Sequence, residues 1–485
     1  MTTDRAPIRR PFRRVLWVLA GSLVVASLAL VAVNLLSGPR LTDVDVDTTA
    51  VVSSANARLV LATNRELAPV TANQITIEPA AAFHVTTSDN SVVISFPQPL
   101  AYNTDYAVAV RGITGTAGDH QSTVNAEFST GEPSMYYLSR AAPTDDASAR
   151  GADRILRTTT GSSATTVAFA TSNIQEFVPI GSELAVVTAS TDQGSADLAS
   201  ALYRVDDGGA AAVLNLPGVG RVHDLQAAPG QSLLGFRFTS SADAPGPRYE
   251  NVLFVLDLGT NVSTPVTGLE GDPLIVSTWG FLAGRADIVA QQSDSMLLLI
   301  DPLDQSGGDS LDKDAVPGAP VPLGQFAKLT AVAPDGMRIA VADRSGHYLL
   351  DLSQGTERAI VPQIMEGTTE FTEQLRFLAG GDGGYVQGVT RIDAATGAVR
   401  QHLSLVQGAE ARTVYVPTSA TETIVGFELS PNDQFLAVHI VPNRETDASD
   451  GYSVNAQTTD ATTLFVNVAT GEVRRSVLGF DATWP

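Results

Sequence analysis

Apolar and polar positions follow three successive rhythms along the 485 residues. Residues 15–36, VLWVLAGSLVVASLALVAVNLL, are apolar throughout except for Ser22, Ser27 and Asn34. From Leu41 to about Pro133 apolar residues alternate with polar ones in period two, the pattern of half-buried strands. From Tyr136 onward, short apolar runs separated by Pro, Asp, Asn and Gly turns recur loosely, with a period near 45 residues.

The first rhythm predicts a transmembrane helix. As a helix, residues 15–36 would span about 33 Å, enough for a hydrocarbon core of roughly 30 Å. Arg5, Arg9, Arg10, Arg13 and Arg14 precede it and only Arg40 lies close behind it. That bias puts residues 1–14 in the cytoplasm and the rest of the chain outside, as a single-pass protein of the cell membrane. A cleaved signal peptide is the alternative; the apolar core is longer than such peptides use, and both readings export the remainder of the chain.

The second rhythm predicts a β-sandwich over 41–132. Its strands fall in Arg58–Leu67, Asn73–Pro79, Ser91–Pro97, Asp105–Ile113 and Val124–Thr130. The run PLAYNTDYAVAVRGITGTAGDH, closed by AEFSTGEP, resembles the second half of bacterial Ig-like domains of the SbsA surface-layer type. Leu100, Thr104, Tyr106, Val108 and Val110 match that family's strand, and Phe128 and Thr130 its closing pair. The turn at Gly115, Gly118 and Asp119 departs from the family order, and the family's opening strand is degraded to LATNREL. The resemblance implies a spacer or adhesion module without catalytic residues, of the kind found in actinobacterial membrane-anchored proteins. Asp43, Asp45 and Asp47 would share one face of a strand; a charge-protected edge is the expected role, a calcium site the alternative.

The third rhythm predicts a β-propeller over 134–485. Leu329–Gly355, Val425–Gly471 and Val222–Gly259 each read strand, turn, strand, loop, strand. Asp206, Asp257, Asp301, Asp351, Asp393 and Asn467 are expected to end the third strands and to serve the adjoining turns. In these turn positions the repeats resemble WD-repeat-like and TolB-like propellers. Six blades are complete. Ser134–Arg140 and Arg154–Thr160 open another, which LGFDATWP at the C-terminus would close as its inner strand. Seven blades are expected, with six or eight as alternatives.

Composition narrows the chemistry. With no cysteine, thiol catalysis, disulfides and Cys-based metal sites are excluded. Two Lys against 28 Arg, with abundant Ala, fit a high-GC bacterium. The net charge of −22 conceals an asymmetry, since the chain beyond residue 40 carries 24 basic and 51 acidic residues. Such a surface excludes nucleic acid as a partner. His84, His120, His223, His347, His402 and His439 are scattered, and no nucleophile elbow, P-loop or dinucleotide fingerprint occurs. No cofactor, metal or catalytic residue is expected.

The functional expectation is therefore a membrane-anchored binding or scaffold protein of the bacterial cell envelope, not an enzyme. Its Ig-like stalk would present the propeller to an envelope protein or a glycan. The alternative is an extracytoplasmic hydrolase or lyase with a site in the propeller funnel; a sensory module ranks last, because fourteen cytoplasmic residues are too few for an output domain. Loops 191–200, 241–250 and 443–461 would join second to third strands and share one face, whereas 305–320 would lie on the other. The candidate partner-binding residues on that face are Arg248, Tyr249, Glu250, Asp447, Asp450 and Tyr452.

Overall fold

The computed structural model describes residues 16–27, 38–116, 118–143, 150–190, 199–303, 319–344, 346–360, 368–380 and 383–485. The chain divides into two compact units, residues 1–131 and 132–485. Among the described residues no helix is long and apolar enough to cross a membrane. Of the expected span, residues 16–27 are helical with every side chain exposed; the remainder lies outside the described residues.

The first unit holds two antiparallel sheets. One pairs Leu41–Val46, Ala57–Thr63, Ser91–Phe96 and His84–Ser88 in that spatial order; the other pairs Ile75–Glu78, Asp105–Gly115 and Gly118–Ser129. Each buries alternate residues, such as Leu59, Leu61, Val92 and Ile94 in the first and Tyr106, Val108 and Val110 in the second. Asp43 and Asp45 are exposed on an outermost strand, where charge discourages further pairing. Asp47 comes just after that strand and accepts the backbone N–H groups of Thr49 and Ala50, both at 2.9 Å, so the three acids form no single face.

The second unit is a propeller of seven four-stranded antiparallel sheets among the described residues. The inner strands of blades 2 to 7 are Ile174–Ile180, Gly220–Ala227, Val276–Phe281, Lys328–Val332, Thr368–Phe377 and Thr423–Leu429. Blade 1 combines both ends of the unit. Phe480–Thr483 is its inner strand and pairs with Ser134–Ser139; Asp153–Thr159 and Thr165–Thr171 complete it. Ring closure thus uses the C-terminal strand expected from sequence.

Burial explains the apolar runs. Second strands lie between neighbouring blades and bury both faces, as in Glu183–Ala189, whereas the outermost strand Val262–Pro265 is largely exposed. A separate apolar cluster fills each contact between successive blades. In Ser134–Ser139, Tyr136 and Leu138 face blade 2, while Met135 and Tyr137 join Ala437, Phe465 and Val477 of blade 7. Gly235 exists for the same packing: a Cβ there would lie 2.3 Å from Trp279 of the next blade.

The acidic turn residues are structural, with one correction. Asp257 Oδ1 accepts from Gly259 N at 2.7 Å and Thr260 N at 2.9 Å, and Asp351 and Asp393 hold equivalent turns. Those backbone donors favour the ionised forms of Asp257 and Asp393 and lower their pKa values. Asp393, however, ends the second strand of blade 6, Tyr385–Asp393; Val399–Gln407 is the third. An unusually long first strand displaced the expected register.

Candidate functional site

The central channel is built by a repeated irregularity. All seven inner strands break register against their second strands, at 174/176, 223/226, 276/278, 329/331, 372/374, 424/426 and 480/483. A bulge leaves a residue outside the ladder and re-aims its side chain. Asp224 and Asp481 sit at such breaks with left-handed backbone, φ 57° and 50°. A short polar side chain makes that conformation tolerable.

Charged residues consequently converge from different blades. A cavity of about 520 Å³ is lined by the inner strands of blades 3 to 7, including Asp224, Gln226, Thr330, Arg376 and Glu428. Glu176 of blade 2 accepts the backbone N–H groups of Leu225 at 2.8 Å and Asp224 at 3.2 Å on the next inner strand. Arg376 of blade 6 makes a two-pronged bond to Glu428 of blade 7, at 3.0 and 2.6 Å. Arg237 stands 3.5 Å from Asp224. Asp481 lies on the inner strand of blade 1, within electrostatic reach of Glu176 and Glu428.

Enclosure differentiates these carboxyls. It pushes Asp481 up to about 6, with Glu176 and Glu428 reinforcing the rise and Arg140 opposing it. Burial also raises Glu176 against its backbone hydrogen bonds, and Asp224 against Arg237. Asp481 is nevertheless exposed to solvent. Glu428 holds the Arg376 guanidinium firmly protonated. The channel therefore joins a carboxyl that changes charge near neutral pH to a charge-paired carboxylate. Among the described residues, no group of three His, Asp or Glu is arranged to hold a metal.

None of these channel residues was singled out from sequence. A signal was present: aligning the inner strands puts one charged residue within an apolar run in IQEFV, QLRFL, GFELS and GFDAT.

The loop residues expected to meet a partner separate into two places. Arg248, Tyr249 and Glu250 border an open groove of about 750 Å³ that also includes Asp272, Pro273 and Ile275. Arg248 donates to the carbonyl of Ser241 at 2.7 Å and to that of Ala242, bracing its own loop. Tyr249 packs edge-on against Phe254, ring centres 5.0 Å apart, and is half-buried. Asp447 is exposed. Asp450 and Tyr452 are buried instead, which corrects their assignment as partner contacts. Asp450 pairs with Arg140 at 2.7 Å, and the guanidiniums of Arg140 and Arg150 stand 4.1 and 3.9 Å from the centre of the Tyr452 ring. Residues 191–198 of the remaining loop lie outside the described residues. The connection from Ser139 to Asp153, not anticipated, is a further long second-to-third-strand loop and supplies Arg140 and Arg150.

No family model matches the chain, and no curated protein is significantly similar to it. Solved structures similar to it include the acylaminoacyl peptidase of Pyrococcus horikoshii (12% identity, 70% of this chain, 52% of that chain, TM-score 0.43). Another is the β-propeller domain of the Trilobed protease from Pyrococcus furiosus (12% identity, 63% of this chain, 89% of that chain, TM-score 0.40). A third is dihydro-heme d1 dehydrogenase NirN (12% identity, 72% of this chain, 74% of that chain, TM-score 0.38). At this identity the likeness concerns the fold alone, and the chain spans about half the length of the peptidase. The expectation that the chain is not an enzyme is nevertheless withdrawn. The channel is open and lined by charged side chains, not filled by small apolar ones. The chain is a β-propeller protein with a smaller all-β unit before it.

Proposed function

We propose that the propeller is the catalytic part of an extracytoplasmic hydrolase or lyase whose site is the central channel. The observation that carries this reading is the convergence of Glu176, Asp224, Glu428 and Asp481 from separate inner strands, beside Arg376. Bond cleavage with proton transfer requires one group that gives or takes a proton and another that holds charge. Asp481, at about 6, is populated in both forms near neutral pH and serves as the acid–base group. Glu428, held by the two-pronged bond from Arg376, orients a polar substrate. Residues 15–36 anchor the protein in the membrane with the β units outside; the exposed apolar side chains of 16–27 support that reading. The first unit, in the reading taken from its SbsA-like strand pattern, is an Ig-like spacer.

The test is turnover of a panel of chromogenic esters, glycosides, peptides and unsaturation-reporting uronides by the full chain. Asp481→Asn is expected to abolish turnover of the accepted substrate with an unchanged fold. Silence across the whole panel, or full activity in that variant, overturns the assignment.

A second reading concerns the face carrying the long loops. The groove beside Arg248, Tyr249 and Glu250 favours recognition of an envelope protein or glycan there. Replacing residues 241–250 by a Gly/Ser loop should then abolish capture of that partner from envelope extracts while leaving channel activity intact. Equal capture by both proteins would remove this reading.

A further inference from the structure

A second cavity, of about 280 Å³, lies between the outer parts of blades 5 and 6, away from the channel. Its walls include Ile360 of the outermost strand of blade 5 and Val406 and Ala411 of blade 6. Its lining residues also include Arg358, Tyr385 and Gln387, each of which carries a side-chain hydrogen-bond donor. Tyr385 and Gln387 are only 6% and 5% exposed. The Gln387 oxygen is already satisfied by the Thr372 hydroxyl at 3.2 Å, which leaves its NH2 group for another acceptor. Neither the Tyr385 hydroxyl nor Arg358 has a hydrogen-bond or ion-pair partner among the described residues.

Three donor-bearing side chains at one cavity, with no acidic residue in its lining, suit a ligand that accepts hydrogen bonds. Arg338, the other guanidinium nearby, is already paired with Asp335 at 2.7 Å. Both arginines approach Gly383 (φ +80°), where a Cβ would stand 2.7 Å from Arg338 Nη1 and 3.9 Å from Arg358 Nη2. A cation would meet Arg358 and find no carboxylate in the lining. A phosphate dianion would face apolar walls with a single uncompensated positive charge. A monoanion with two acceptor oxygens on an apolar body satisfies both the donors and the walls.

We propose that this cleft binds a carboxylate carried on a small apolar group. The carboxylate takes Arg358, Tyr385 and Gln387 as its donors, and its body rests on Ile360, Val406 and Ala411. The source is either a small organic acid or the C-terminal carboxylate of a polypeptide.

Calorimetric titration of the full chain with sodium butyrate and with sodium benzoate tests the proposal, with butylamine and inorganic phosphate as comparisons. Saturable binding of a carboxylate is expected, weakened about tenfold in Arg358→Gln and severalfold in Tyr385→Phe. Butylamine should not bind. Arg358 is exposed on an outermost strand, so its variant should fold, and circular dichroism checks both variants. Tighter binding of a peptide ending in a free carboxylate than of benzoate, lost on amidation, assigns the polypeptide source. Comparable binding of benzoate and the free-ended peptide assigns the small acid. Absence of saturable carboxylate binding, wild-type affinity in Arg358→Gln, or phosphate binding as tightly as benzoate would overturn the proposal.

Discussion

The phenolic oxygen of Tyr452 lies 2.6 Å from each carboxylate oxygen of Asp153, linking a loop of the last blade to a strand of the first. Asp153 is fully buried and also accepts the backbone N–H groups of Ala141 and Ile174, each at 2.9 Å. The same loop reaches blade 2, where Asn455 donates to the Gln175 carbonyl at 2.9 Å. Propeller closure therefore rests on a side-chain clasp as well as on the short strand Phe480–Thr483. Tyr452→Phe deletes one hydrogen bond to a buried carboxylate and should cost about 1–3 kcal/mol. Urea unfolding measures it, and an unchanged midpoint would show that the clasp contributes nothing to closure.

Blade packing makes a sharper prediction at Gly235. An added methyl would meet Trp279 Cη2 at 2.3 Å and Phe281 Cε2 at 3.1 Å inside a filled cluster. Gly235→Ala should destabilise by about 1–3 kcal/mol. Combining it with Trp279→Phe, which vacates that space, should cost less than the sum of the single changes. Strict additivity in the double variant would contradict the packing account.

Asp481 sets a pH dependence. Its folded-state pKa, about 6, stands above the ordinary 3.8, so the folded chain binds this proton more tightly than the unfolded chain. The resulting stabilisation is fully present below about pH 3.8 and is lost as pH rises toward and through 6. Asp481→Asn should remove that slope and raise the thermal midpoint relative to wild type at about pH 8 more than at about pH 4. Parallel midpoints across this range would show that the carboxyl is not perturbed.

The Arg376–Glu428 pair is well formed but partly open, with side chains 35% and 45% exposed. Discounted for solvent screening, its coupling in a double-mutant cycle of Arg376→Gln and Glu428→Gln should be about 1 kcal/mol and should fall with added salt. A coupling indistinguishable from zero at low salt would mean that the pair only orients the channel.

Turn chemistry and strand periodicity made much of the fold legible. The Asp and Asn turn residues, the apolar second strands and the closing LGFDATWP strand act through local contacts or burial on both faces, and both leave a pattern in the sequence. Blade 6 escaped because Thr368–Phe377 and Tyr385–Asp393 are longer than the repeat, which shifted Asp393 by one strand. Asp450 and Tyr452 were misplaced because polar residues in a long loop look the same whether they meet solvent or a buried guanidinium.

The sequence by itself determined an all-β chain, a repeat that closes on itself, an acidic surface and an apolar N-terminal stretch. These arise from periodicity and composition, which each residue carries wherever it ends up. Only the tertiary structure decided that Glu176, Asp224, Arg376, Glu428 and Asp481 share one channel and that Arg358, Tyr385 and Gln387 share one cleft. The residues of each group come from different strands separated along the chain. They meet only because bulged inner strands and packed blades bring them together, and no local pattern records that meeting.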